Sequence, residues 1–138
     1  MTPGQVPPPK APDDKTLPTP DPASVQIIRS YGPGRFLIGE REWREPVLVT
    51  PTLTTPWSVT RADDLDIDSL ALLKTLPIPT ELLVLGCGPR ALFVPPDKRA
   101  ALKAAGLGLE VVDTGSACRI YNVLVAEGRR VAAALIPV

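Results

Sequence analysis

The sequence predicts an α/β domain of three layers: a central, mostly parallel but mixed sheet, helices on both faces and an N-terminal β-hairpin. Three observations predict it. Short apolar runs at residues 82–85, 109–112 and 131–136 alternate with stretches of helical spacing. The run Leu82-Leu83-Val84-Leu85 is apolar on both faces, as an interior parallel strand requires. Strand, helix and strand in succession demand right-handed crossovers and so a sheet covered on both sides.

The elements follow in order. Residues 25–29 start a strand, Tyr31-Gly32-Pro33-Gly34 supplies turn chemistry, and Arg35-Phe36-Leu37-Ile38 returns as a hairpin. This hairpin either extends the sheet or lies as a flap over one edge. Charges alternate around Trp43 between Glu40 and Glu45, which suits an edge with one wet side. Val47-Leu48-Val49-Thr50 is a brief strand, and residues 51–57 are too broken by proline for a regular element. Asp63, Asp64 and Asp66 precede Ile67, Leu70, Leu73 and Leu76, a helical face with acids in its first turn, ended by Pro77. Those acids read as a cap and solvated turn rather than a metal site, since the glycine-containing calcium loop is missing. Pro95-Pro96-Asp97 opens the next helix and Gly106 closes it. The strand at 109–112 runs through Asp113-Thr114-Gly115-Ser116 into a helix ended by Gly128, and 131–136 is the last strand.

Proline separates the chain into two parts. It has 18 prolines among 138 residues, 8 of them in residues 1–24, where neither helix nor central strand can propagate. Residues 1–24 therefore read as a disordered, solubilising tail and 25–138 as one domain. Proline-rich segments also dock into aromatic-lined grooves, which leaves recruitment as a second role for the tail. Neither a secretory signal nor an Arg-bearing transit peptide begins the chain, and no apolar run is long enough for a membrane span. A bacterial cytoplasmic location is expected. Fifteen basic and fifteen acidic residues balance, so bulk-charge binding of nucleic acid is disfavoured. A modest basic surface is spread over Arg90, Lys98, Arg99, Lys103, Arg129 and Arg130. No histidine is present and only two cysteines, which argues against a metal site, a cofactor held by such ligands and any histidine-based catalysis.

Ligands in open α/β sheets favour the crevice beyond the carboxyl ends of the strands. Two loops fall there: Gly86-Cys87-Gly88-Pro89-Arg90 and Asp113-Thr114-Gly115-Ser116. The glycines of the first let backbone approach a ligand, and Arg90 can grip an anion. The second opens a helix, whose free N–H groups also favour anions. The same residues equally serve as turn and cap, with Asp113 or Thr114 capping the helix. Cys118 lies one turn into that helix on its inward face and reads as an inert buried thiol. Cys87, in a glycine turn, is expected to be more exposed, and a Cys87–Cys118 redox pair is conceivable. One Asp-Thr-Gly triplet alone makes no aspartic-protease dyad.

Taken together, Ser30-Tyr31-Gly32-Pro33-Gly34, Trp57, Gly86-Cys87-Gly88-Pro89-Arg90, Pro95-Pro96 and the run from Asp113 through Tyr121 and Asn122 to Leu124 are specific. With Glu127-Gly128-Arg129-Arg130 and the last strand, they resemble the small α/β domain family of unknown function related to the mitochondrial respiratory complex I assembly factor 3. Two positions depart from the family pattern: Cys87 stands where threonine is usual, and Ile120 where the helix usually carries threonine. The resemblance implies a three-layer fold with a mixed sheet and no established enzyme activity. It implies a protein partner, either another assembly factor or a membrane-complex subunit. A non-enzymatic interaction module is therefore favoured over a binder of, or enzyme for, a small anion. The candidate ligand or partner residues are Gly86, Cys87, Gly88, Arg90, Asp113, Thr114, Gly115, Ser116, Tyr121 and Asn122.

Overall fold

The computed structural model describes residues 25–138, so the expectation for the tail at 1–24 lies outside the described residues. The first strands form a sheet of their own. β1 (Ile28–Gly32), β2 (Arg35–Ile38) and β3 (Arg41–Trp43) are antiparallel and lie in that order. Gly34, at φ +70°, makes the first turn, and Gly39, at φ +61°, the second. The strand expected from residue 25 begins only at Ile28. The hairpin does not extend the main sheet: it gains a third strand and forms a separate sheet packed on the α2 side of the core.

The main sheet has five strands. β4 (Val47–Val49), β5 (Thr54–Pro56), β6 (Leu82–Gly86), β7 (Gly108–Val112) and β8 (Val131–Leu135) lie in the order β5-β4-β8-β6-β7. β6 is parallel to both β7 and β8, while β4 is antiparallel to β8 and β5, so the sheet is mixed. β5 falls in the stretch expected to be irregular. The Thr50 hydroxyl donates to the Leu53 carbonyl and accepts from the Leu53 N–H, folding residues 50–53 into a turn that brings β5 back beside β4. As an edge strand, β5 tolerates Pro56 because one side needs no ladder bond.

After a first 3₁₀ turn at Ala62–Asp64, the segment expected to be an α-helix beyond Asp66 forms a tighter 3₁₀ stretch instead, at Asp68–Thr75, with a kink at Leu70. Asp66 explains part of this. Its carboxylate accepts from the Ser69 N–H at 2.8 Å, and the Ser69 hydroxyl donates to the Asp66 carbonyl at 2.7 Å. These local bonds compete with the i→i−4 ladder. Leu70 and Leu73, three apart, still share a buried face, because i and i+3 eclipse in a 3₁₀ helix. True α-helices are α1 (Pro96–Ala104) and α2 (Thr114–Ala126).

Period-two alternation along the strands divides the core. Leu48, Leu83, Leu85, Ala132 and Ala134 face the 3₁₀ turns, Trp57 and Leu102 of α1. Val47, Val49, Val84, Val131, Ala133 and Leu135 face α2 and the small sheet. The second outer layer is thus half helix and half sheet. Every residue of β8 is fully buried, and its three central alanines keep both outer layers close. Replacing Ala133 by Leu forces volume between the sheet and α2, and destabilisation of about 1–3 kcal/mol is expected. Urea unfolding of Ala133→Leu against wild type checks this.

Candidate functional site

The two candidate loops meet where the chain leaves β6 and β7. The Cys87 N–H donates to the Val112 carbonyl at 3.0 Å, and the Thr114 N–H donates to the Gly88 carbonyl at 2.9 Å. The Thr114 hydroxyl, fully buried, accepts from the Gly88 N–H at 2.8 Å and donates to the Ile136 carbonyl at 2.6 Å. The Ile136 N–H returns to the Gly86 carbonyl at 3.0 Å. The chain's own groups bond to one another across the loops, and Thr114 ties together the ends of three strands.

Asp113 caps α2. Its carboxylate accepts from the Ser116 N–H at 3.1 Å and from the Ser116 hydroxyl at 2.6 Å. The Ser116 hydroxyl, then its N–H, hold the Asp113 carboxyl below the usual aspartate range, with a smaller contribution from Arg119. The helix dipole therefore already faces an anion, the protein's own. Gly115 is buried under Tyr31: a Cβ there would collide with the Tyr31 hydroxyl and ring. Gly86 is needed for a different closeness. A Cβ on it would come within 3.0 Å of the Leu135 side chain and of the Thr114 Cα, so α2 starts almost on the strand. Gly88 adopts φ +99°, open only to glycine at low cost.

Arg90 is exposed and pairs with no carboxylate among the described residues. It begins the protruding part of the loop, in which Leu92 is 39% and Phe93 79% exposed. Neither of these two drew attention in the sequence. The available signal was an apolar pair between Pro89 and Pro95, where no helix or strand can bury it.

Tyr121 and Asn122 do not join this cluster. The Tyr121 hydroxyl, on a fully buried ring, donates to the Gln26 carbonyl at 2.8 Å. Asn122 holds both main-chain groups of one residue: Ile28 N–H donates to its Oδ1 at 3.0 Å, and its Nδ2 donates to the Ile28 carbonyl at 2.8 Å. They lash β1 to α2 as an extra strand would. Asn122→Ala strips partners from two backbone groups, and a cost of about 1–3 kcal/mol is expected. Asn122→Asp does not rescue it, since a carboxylate cannot donate to the Ile28 carbonyl. Chemical denaturation of the two variants checks both outcomes.

Cys87 is buried rather than exposed, because its side chain joins the core cluster that holds Leu83, Leu85 and Val94. Burial pushes the Cys87 thiol up, and pushes Cys118 up to about 12. Cys87 packs on the α1 face of the sheet and Cys118 on the α2 face, so the sheet separates them and the redox pair is set aside. In the unfolded chain a thiol ionises near pH ~8.5. The folded state keeps the Cys118 proton well beyond that, so its contribution to stability is whole below that pH and is lost as pH rises toward about 12. The melting temperature of Cys118→Ala is expected to fall less steeply than wild type between about pH 9 and pH 11, read from melts at stepped pH.

The comparisons with known proteins agree with this architecture. The family model described as "Protein of unknown function (DUF498/DUF598)" matches residues 28–136. An NADH dehydrogenase [ubiquinone] 1 alpha subcomplex assembly factor 3 of Xenopus tropicalis is 35% identical over 117 residues, covering 85% of this chain and 64% of the relative. The chain thus spans a little under two thirds of that relative. An uncharacterized protein of Rhodobacter capsulatus is 37% identical over 115 residues, covering 83% of this chain and 87% of its own length. A crystal structure of a Bordetella parapertussis protein superposes with a TM-score of 0.76 at 31% identity, covering 86% of this chain and 100% of that one. With the family model matched over residues 28–136, the chain belongs to the DUF498/DUF598 family of proteins of unknown function, and the assembly-factor relatives are similar to it along most of its length.

Proposed function

We propose that this protein is a non-enzymatic interaction module that helps assemble a membrane-bound respiratory complex, working from the bacterial cytoplasm. The role named for its assembly-factor relatives supports the reading, as does the absence of a helix long and apolar enough to cross a membrane among the described residues. One observation carries it. The loops that would hold a small ligand are filled by their own hydrogen bonds, while the adjoining turn presents Phe93, 79% exposed, with Leu92 and Arg90 beside it. An exposed aromatic and an exposed guanidinium are residue types enriched in protein–protein interfaces. Tyr31, 38% exposed, extends this end of the molecule from the other layer. The partner is a second assembly factor or a subunit of the membrane complex, and no nucleic acid is involved.

The test is affinity capture from the native cell with mass-spectrometric identification. Wild type is expected to retain subunits or assembly intermediates of the respiratory NADH dehydrogenase. Phe93→Ser is expected to keep the wild-type melting temperature and to lose capture by about tenfold or more. A thermal-shift screen against phosphates, nucleotides and carboxylates gives the opposing result. Stabilisation by one of these anions that vanishes in Arg90→Ala would overturn the reading in favour of a small-anion site.

A further inference from the structure

Trp43 holds a problem that the fold does not solve. It is 7% exposed, and its indole N–H is buried with no acceptor among the described residues. Buried tryptophan N–H groups ordinarily find one, and an orphan donor requires an explanation. Trp43 lines a cavity of about 350 Å³ between the β2–β3 turn and β5, together with Gln26, Arg41, Leu53 and Thr54. This volume falls at the lower end of the range for ligand pockets, about 300–1,000 Å³. The exposed Arg41 guanidinium lies 4.0 Å over the indole ring and is the movable wall. Leu53 is 40% exposed at the rim.

We propose that this cavity takes a proline-rich segment in polyproline II conformation, and that its occupant is the N-terminal part of this same chain, residues 18–24. Two observations point to that occupant. First, the chain enters the body at the cavity: Gln26 is one of its walls, pinned by its N–H to the Pro51 carbonyl and by its side chain to the Thr54 hydroxyl. The segment just before it, Pro18-Thr19-Pro20-Asp21-Pro22-Ala23-Ser24, is tethered within reach, at about 3.1 Å per residue in this conformation. A short tether raises its effective concentration to the millimolar range without added contacts. Second, the chemistry matches. Proline carries no N–H, so such a segment offers carbonyl acceptors in excess of donors. The cavity offers the Trp43 ring with Leu53 at its rim, as aromatic grooves do for proline-rich peptides, and the buried Trp43 N–H is a donor still without an acceptor. Glu40 and Arg41 oppose each other in the lining, so charge does not select the occupant.

The experiment uses the full chain, labelled with ¹³C and ¹⁵N. Nuclear Overhauser contacts are expected from the Trp43 indole proton to proline protons of residues 18–22. Replacing Pro18, Pro20 and Pro22 together by Ser is expected to shift the Trp43 indole signal and speed its hydrogen exchange by about tenfold. Trp57, whose indole donates to the Ser69 carbonyl at 3.1 Å, is the internal control and stays unchanged. An unaltered Trp43 signal in the triple variant would overturn the proposal. So would contacts seen solely between differently labelled molecules in a mixed sample, which would make the occupant a second copy.

Discussion

One buried hydroxyl closes the end of the sheet where α/β domains usually receive ligands. Thr114 follows β7, yet its oxygen serves the loop after β6 and the residue after β8. A hydroxyl can accept and donate at once, so a single side chain satisfies an amide and a carbonyl that would otherwise be stranded without water. The close start of α2 depends on it, and so do Gly86, which leaves no Cβ in the way, and Ala117, which adds only a methyl group. With this lacing in place, the backbone groups at that end of the sheet hold one another.

α2 then works in two directions. Its sheet-facing side, through Ala117, Cys118 and Tyr121, completes the core against β4, β6 and β8. Its other side, through Asn122 and the Tyr121 hydroxyl, recruits β1 and the stretch leading into it. The small sheet has only three short strands and needs such an anchor, since isolated hairpins are marginal in water. Tyr31 returns from that sheet to cover Gly115 at the head of the helix. Thr114, Asp113, Tyr121 and Asn122, polar residues of the candidate set, thus make bonds that assemble the layers.

What the architecture leaves for contact with other molecules is apolar and local. The Phe93 turn stands clear at one end of the main sheet. The Trp43 cavity opens at the other side of the small sheet, where the chain enters. The first suits a folded partner surface, the second an extended segment. The first lies in a connection that the core does not constrain, whereas the second is walled in part by strand residues of the core, Ile38 and Trp43.

Much of this was legible in the chain itself. The three strands β6, β7 and β8, the glycine stops, the proline start of α1 and the capping role of Asp113 depend on neighbours within a few residues. Local steric and hydrogen-bonding preferences determine them, and the sequence displays those directly. The pairing of β4 antiparallel to β8, the third strand of the small sheet, the burial of Cys87 and the task of Asn122 were decided only in the tertiary structure. Thr114 reaches across 26 residues to Gly88, and Asn122 across 94 to Ile28. Contacts so distant are chosen by which apolar faces can be buried together, and no short window of sequence holds both partners. The same reason turned a helix-like pattern into 3₁₀ turns: apolar spacing of three and four fits both helices, and Asp66 with Ser69 tipped the choice.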